Sequence, residues 1–204
     1  MAAVRPIRPE FPEPIGLHHQ AMDNLRFIRN TMESAGQFTA VPGRGGVLMG
    51  ATGLFAAFAA HLSRTPRAWL AIWMAEALLA LAIGLWFSWR KAVQNSTPLL
   101  SRPFRRFVLG VAPPVFAGGV LTFALYRMDL AHLLPAIWLL LYGAGITSGG
   151  AASVRVVPVM GMSFLALGSI ATLVPAGFAD LLLAVGFGGF HIIFGWMIAR
   201  RYGG

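Results

Sequence analysis

Six long apolar stretches, near 47–62, 68–89, 107–126, 130–147, 154–174 and 176–198, alternate with short polar breaks along most of the chain. A hydrocarbon core of about 30 Å is crossed by about 20 apolar residues in a helix, and each stretch is near that length. Backbone groups that face lipid must bond within their own segment, which a helix does and an open sheet does not. The pattern predicts an all-α polytopic membrane protein, with six transmembrane helices in one domain over 47–204.

Ahead of that domain, residues 1–16 set Pro6, Pro9, Pro12 and Pro14 among charges and predict a disordered tail. Leu17 to Ala35 reads as a helix closed by Gly36, with Leu25, Ile28 and Met32 on one face and Asp23 with Arg26, and Arg29 with Glu33, at pairing distance. An amphipathic helix just before a first span lies in the inner membrane interface. Residues 17–46 then comprise this helix and a glycine-rich hinge, Val41-Pro42-Gly43-Arg44-Gly45-Gly46. Glycine amides beside Arg44 suit an anion cradle as well as a hinge, but with no preceding strand and no Walker lysine this is no nucleotide loop.

Composition sharpens the membrane assignment. Hydrophobic residues are 57% and charged residues 11%, against about 25% charged in soluble domains. The net charge of +9 raises the question of nucleic acid, and the placement of the charges answers it. Arg5, Arg8, Arg26, Arg29, Arg44, Arg90, Lys91, Arg102, Arg105, Arg106, Arg155, Arg200 and Arg201 fall on one side of the six-span plan, and only Arg64, Arg67 and Arg127 on the other. That asymmetry follows the positive-inside rule and predicts a membrane protein with both termini cytoplasmic, which the resemblance given below places in a bacterial inner membrane. The basic charge then faces anionic lipids at the cytoplasmic surface rather than nucleic acid. No cleavable signal peptide is visible, and the Asn95-Ser96-Thr97 sequon falls on the cytoplasmic side.

Small residues set the expected packing. The odd stretches are richer in Gly, Ala, Ser and Thr, and Ala56-x-x-x-Ala60 and Ala184-x-x-x-Gly188 suit close helix contact. Leu48-Met49-Gly50-Ala51-Thr52, Val108-Leu109-Gly110-Val111-Ala112 and Val159-Met160-Gly161-Met162-Ser163 recur at the starts of the odd stretches, consistent with three repeated helical hairpins. Pro113-Pro114 and Pro158 remove backbone donors and predict kinks.

Candidate chemistry lies in residues that the bilayer should expel, since a charge at mid-depth costs at least about 2.5–3.5 kcal/mol. Glu76 falls within the second stretch, on a face shared with Trp69, Trp73 and Ala80. Asp180, Ala184, Gly188, His191 and Gly195 make one stripe of the sixth, and an imidazole there suits a proton relay. Arg155 enters the fifth from the cytoplasmic end. Glu76, Asp180, His191 and Arg155 are therefore the candidate transport or proton site. Leu25, Arg26, Ile28, Arg29, Met32 and Arg44 are the candidate interfacial or partner-binding set.

Zero cysteines exclude disulfides and thiolate chemistry. His18, His19, His61 and His132 lack metal-ligand spacing, and the opposed mid-membrane pair that a bis-histidine haem needs is missing. Hydrolase motifs are likewise missing, Ser163 and Ser169 read as packing residues, and neither a catalytic residue nor a cofactor is expected.

Leu25-Arg26-Phe27-Ile28-Arg29-Asn30-Thr31-Met32-Glu33, with Phe38-Thr39-Ala40-Val41-Pro42-Gly43, and Phe190-His191-Ile192-Ile193-Phe194-Gly195 through Ala199-Arg200-Arg201-Tyr202-Gly203-Gly204 resemble an uncharacterised family of small bacterial six-span membrane proteins. The resemblance covers the ends of the chain better than its middle and implies architecture without an activity. The three glycine-bearing hairpins also look like the six-span acid-resistance membrane proteins of bacteria. Size, span count and Ala56-x-x-x-Ala60 look like the substrate-binding subunits of energy-coupling-factor vitamin transporters.

The function expected is a non-enzymatic, small-solute or proton-linked conduit. The alternatives are a sensor or scaffold that recruits a cytoplasmic protein through the N-terminal helix, and a vitamin-transporter subunit. A second copy of the chain is a further candidate partner.

Overall fold

The computed structural model describes residues 22–28, 32, 38, 39, 41–94 and 101–203. The chain divides into two units, Met1–Gly36 and Gln37–Gly204. In the first, residues 22–28 are helical and Arg26 approaches Asp23 to 4.0 Å, both side chains well exposed. The predicted tail, Arg29 with Glu33, Gly36 and the sequon lie outside the described residues.

Among its described residues the second unit holds six helices: α1 (Gly43–His61), α2 (Pro66–Gln94), α3 (Arg102–Arg127), α4 (Leu134–Gly150, entered through a short 3₁₀ turn), α5 (Val156–Ala171) and α6 (Ala176–Tyr202). Among the described residues there is no strand, and the fold is all-helical. Four of these helical stretches, α2, α3, Ala131–Gly150 and α6, are long and apolar enough to cross a membrane. That is fewer than the six expected. The apolar α5 stops at 16 residues, and Arg44 with three glycines dilutes the first turn of α1.

Helix starts follow local chemistry. Ser101 caps α3 by accepting from the Phe104 amide at 3.4 Å, and Pro103 occupies the first turn, where no intrahelical donor is lost. Pro158 sits in the first turn of α5, so its missing N–H breaks no intrahelical bond. The helix α3 also runs unbroken through Pro113 and Pro114.

Burial does not follow the odd and even stretches. The core is built from α1, α4, α5 and α6, whereas α2 and α3 are mostly exposed. Glycine position explains this: α4 and α6 carry Gly143, Gly145, Gly149, Gly186, Gly188 and Gly195, all buried. α1 packs along α6 and against α2, while α4 packs between α3 and α5. The three recurring glycines share one role. A β-carbon on Gly50, Gly110 or Gly161 would collide with the backbone of Gly188, Gly149 or Thr147 on the facing helix.

Polar ties lock the ends of this bundle. Trp69 Nε1 donates to Asp180 Oδ1 at 2.7 Å, and Lys91 Nζ donates to the Tyr202 carbonyl at 3.0 Å, so α2 and α6 run in the same direction with a 111-residue offset at both ends. At 1.5 Å per residue the two ties stand about 33 Å apart along a helix, close to the about 30 Å of a hydrocarbon core. At the Lys91 end, the Phe38 amide donates to Ala152 O at 2.6 Å and Ser153 Oγ donates to Phe38 O at 2.7 Å. The Phe38 ring meets Phe104 and Phe107 at 5.3 and 5.1 Å. Gly43 abuts Ala199 there too, so the predicted hinge glycines serve as helix contacts rather than an open anion cradle.

Candidate functional site in the aromatic core

Side chains from α2, α4, α5 and α6 form a continuous run of rings through the core. Trp69 stacks on Trp138 at 5.4 Å, Trp73 reaches Trp138 at 6.4 Å and Phe187 at 6.1 Å, and Phe187 meets Tyr142 at 5.2 Å. His191 joins this run, 6.2 Å from Phe187 in a stacked arrangement and 5.5 Å from Phe164 edge-on. Its Nε2 lies 2.7 Å from the Tyr142 hydroxyl.

The segment that presents His191 departs from α geometry. Residues Ala184–Phe190 form a π-helical stretch of seven residues inside α6. Such segments are rare and recur at functional sites. Here the glycines make it tolerable: Gly186 lies against Leu139 and Phe164, and Gly188 against Leu54, where a β-carbon would collide. The wider turn also disturbs the stripe expected from Asp180 to Gly195. Gly188 and Gly195 face α1, while the His191 ring turns to Tyr142 of α4 and Phe164 of α5.

His191 is 6% exposed, and its ring interacts with the backbone of Gly186 and Phe187 in the π segment; Trp73 Nε1, in a ring that is also buried, has no hydrogen-bond partner among the described residues. A buried polar atom beside Phe187, Trp73 Nε1, is thus left unmatched. Buried polar groups are normally satisfied, and an unmet one costs about 1–3 kcal/mol.

The other expected residues each have separate surroundings. Glu76 is buried, and its Oε1 accepts from the Thr52 hydroxyl of α1 at 2.8 Å; that hydroxyl also lies 2.9 Å from Met49 O. Asp180 sits between Trp69 and His61, whose Nδ1 is 3.4 Å from Oδ2. Arg155 is exposed before α5, with no ion pair among the described residues. The structure therefore links Asp180 to His191 through the run of rings, keeps Glu76 on a separate contact with α1, and leaves Arg155 outside the core. Ala56 and Ala60 are packed inside the bundle, so the small-residue pattern likened to the vitamin-transporter subunits serves close helix contact within this chain.

Three groups central to this geometry escaped sequence reasoning. Tyr142 supplies the partner of His191, and its signal was a phenol within an apolar stretch. Thr52 meets Glu76, with no signal beyond helix phase. Lys91, the single lysine in the chain, is buried and donates to Val41 O at 3.1 Å, Tyr202 O at 3.0 Å and Gly203 O at 2.6 Å. Its ammonium has three donors and no acceptor, so the site is saturated. A cation there also complements the carbonyl end of α6.

No family model matches the chain, and neither a curated protein nor a solved structure matches it.

Proposed function

We propose that the chain is a six-helix integral protein of a bacterial cytoplasmic membrane and acts as a proton-linked or small-solute conduit. The end that gathers Phe38, Lys91, Ser153 and Tyr202 faces the cytoplasm in this proposal, in accord with the positive-inside asymmetry. The observation that carries the conduit is the buried His191–Tyr142 pair beside the π segment of α6. A histidine inside an apolar bundle suits proton exchange because one ring nitrogen can accept a proton while the other donates one. The neighbouring π turn supplies a place where α6 can change register. Glu76 is a second candidate group, and Arg155 in its exposed position is an entry-side cation at most.

The test is proton flux in liposomes carrying an internal pH dye under an imposed potential. Flux should exceed that of empty liposomes and fall at least tenfold in both His191→Gln and Glu76→Gln. Flux equal to empty liposomes, or flux that survives both changes, would sink the conduit.

A second reading rests on the N-terminal unit, where Leu25, Ile28 and Met32 are 61%, 52% and 70% exposed. That uncovered face suits an interfacial anchor or a docking surface for a cytoplasmic protein. Removal of residues 17–36 should then abolish co-purification of the partner, and unchanged co-purification counts against it.

A further inference from the structure

An open groove of about 240 Å³ at the start of α3 is lined by Arg102, Arg105, Arg106 and Leu109. The three arginines are exposed and make no ion pair with any described residue. The acidic residues of the Gln37–Gly204 unit are Glu76, Asp129 and Asp180. Glu76 is bonded to Thr52 and Asp180 to Trp69, and Asp129 follows the opposite end of α3. Three guanidinium groups within one and a half helical turns are thus left without a carboxylate from the described residues of their own bundle.

The groove continues into an apolar stripe. Leu109, Phe116, Val120 and Phe123 are 64%, 74%, 53% and 66% exposed and follow Arg105 at helical spacing. The stripe ends at Arg127, whose guanidinium lies 5.8 Å from the centre of the Phe123 ring. Arg105 and Arg127 are separated by about 33 Å along the helix, which is close to the thickness of a hydrocarbon core. An occupant of this surface therefore needs an anionic end and a long apolar body.

We propose that the groove holds one anionic phospholipid, its phosphate on Arg102, Arg105 and Arg106 and an acyl chain along Leu109 and Phe116. Guanidinium groups match phosphate oxygens in bidentate geometry, and basic clusters at the ends of membrane helices attract anionic headgroups. This site rests on the membrane placement proposed above and is independent of proton flux.

The test is native mass spectrometry of the full chain released from detergent micelles containing phosphatidylglycerol or phosphatidylcholine. The wild-type chain should retain phosphatidylglycerol at least tenfold more than phosphatidylcholine. The triple variant Arg102→Gln, Arg105→Gln, Arg106→Gln should lose that preference. The charge-matched variant Arg64→Gln, Arg67→Gln, Arg201→Gln should keep it. Equal loss in both variants would mean diffuse charge attraction and overturn the site, as would an unchanged preference in the first. Displacement of the lipid by millimolar inorganic phosphate would assign the groove to a soluble anion and overturn the lipid assignment. Alkaline carbonate washing of membranes separates the two failures: release of the wild-type chain defeats the membrane placement, whereas retention without lipid preference defeats the groove alone.

Discussion

The Tyr142 hydroxyl and His191 Nε2 stand 2.7 Å apart at the meeting of α4 and α6. With the phenol donating, His191 carries its own proton on Nδ1, toward the π segment rather than toward α4. A nitrogen-15 spectrum of labelled His191 should show the Nδ1–H tautomer, and conversion to the other tautomer in Tyr142→Phe would follow from loss of the donor. A wild-type Nε2–H tautomer would reverse the direction of this bond. The Tyr142→Phe change should also lower unfolding stability by about 0.5–1.5 kcal/mol, the usual net value of one hydrogen bond.

Thr52 and Glu76 separate a structural role from a transport role. Thr52→Val leaves a buried carboxyl oxygen without its partner and should destabilise the bundle by about 1–3 kcal/mol. Glu76→Gln keeps an acceptor for the hydroxyl and should cost less, as measured by thermal unfolding in detergent. A large loss of proton flux with a small loss of stability in Glu76→Gln assigns it to transport; parallel losses assign it to packing.

Lys91→Met should be among the more damaging single changes outside the apolar core. It leaves three carbonyls, those of Val41, Tyr202 and Gly203, without the donor they share. Hydrogen bonds to charged groups are each worth about 1.5–3 kcal/mol, so a loss of at least about that size is expected. Faster proteolysis near residue 200 would identify the released element, and wild-type protection would contradict the clamp.

Gly161→Val should be poorly tolerated, because its added atoms meet the backbone of Thr147; overpacking of this kind costs about 1–3 kcal/mol or more. Gly119 supplies the control, since nothing lies within 4 Å of its position for a β-carbon. Gly119→Ala should leave stability unchanged or raise it by up to about 1 kcal/mol through helix propensity. Similar losses in both would show that glycine content, not close helix approach, governs this bundle.

The apolar stretches were legible as helices because each is long and uninterrupted, and boundaries shifted by only a few residues. Which helices form the core was not legible from odd and even order. α3 shares the small-residue motif at Gly110 yet stays peripheral, because α4 is the helix it packs along and its other contacts, to Phe38 and Ala92, lie at its first turns. Glu76 and His191 stood out because a bilayer penalises them. Their partners Thr52 and Tyr142 did not, since a hydroxyl is tolerated in a membrane helix whether or not it meets another chain segment. The π segment was hidden because Ala184-Val185-Gly186-Phe187-Gly188-Gly189-Phe190 is also compatible with an ordinary helix.

The Lys91 clamp bears on how the protein is made. Two of its three acceptors belong to residues that leave the ribosome 111 and 112 positions after the lysine, and Asp180 follows Trp69 by the same interval. Throughout that interval α2 has neither of its ties to α6, and an ammonium group with one carbonyl partner is poorly suited to leave water. Closure of the bundle is therefore a late event of synthesis, with the α1–α2 hairpin held loosely until the sixth helix arrives. Contacts so distant in sequence are slow to form, and any factor that attends the nascent chain would find its most exposed client before residue 202 emerges.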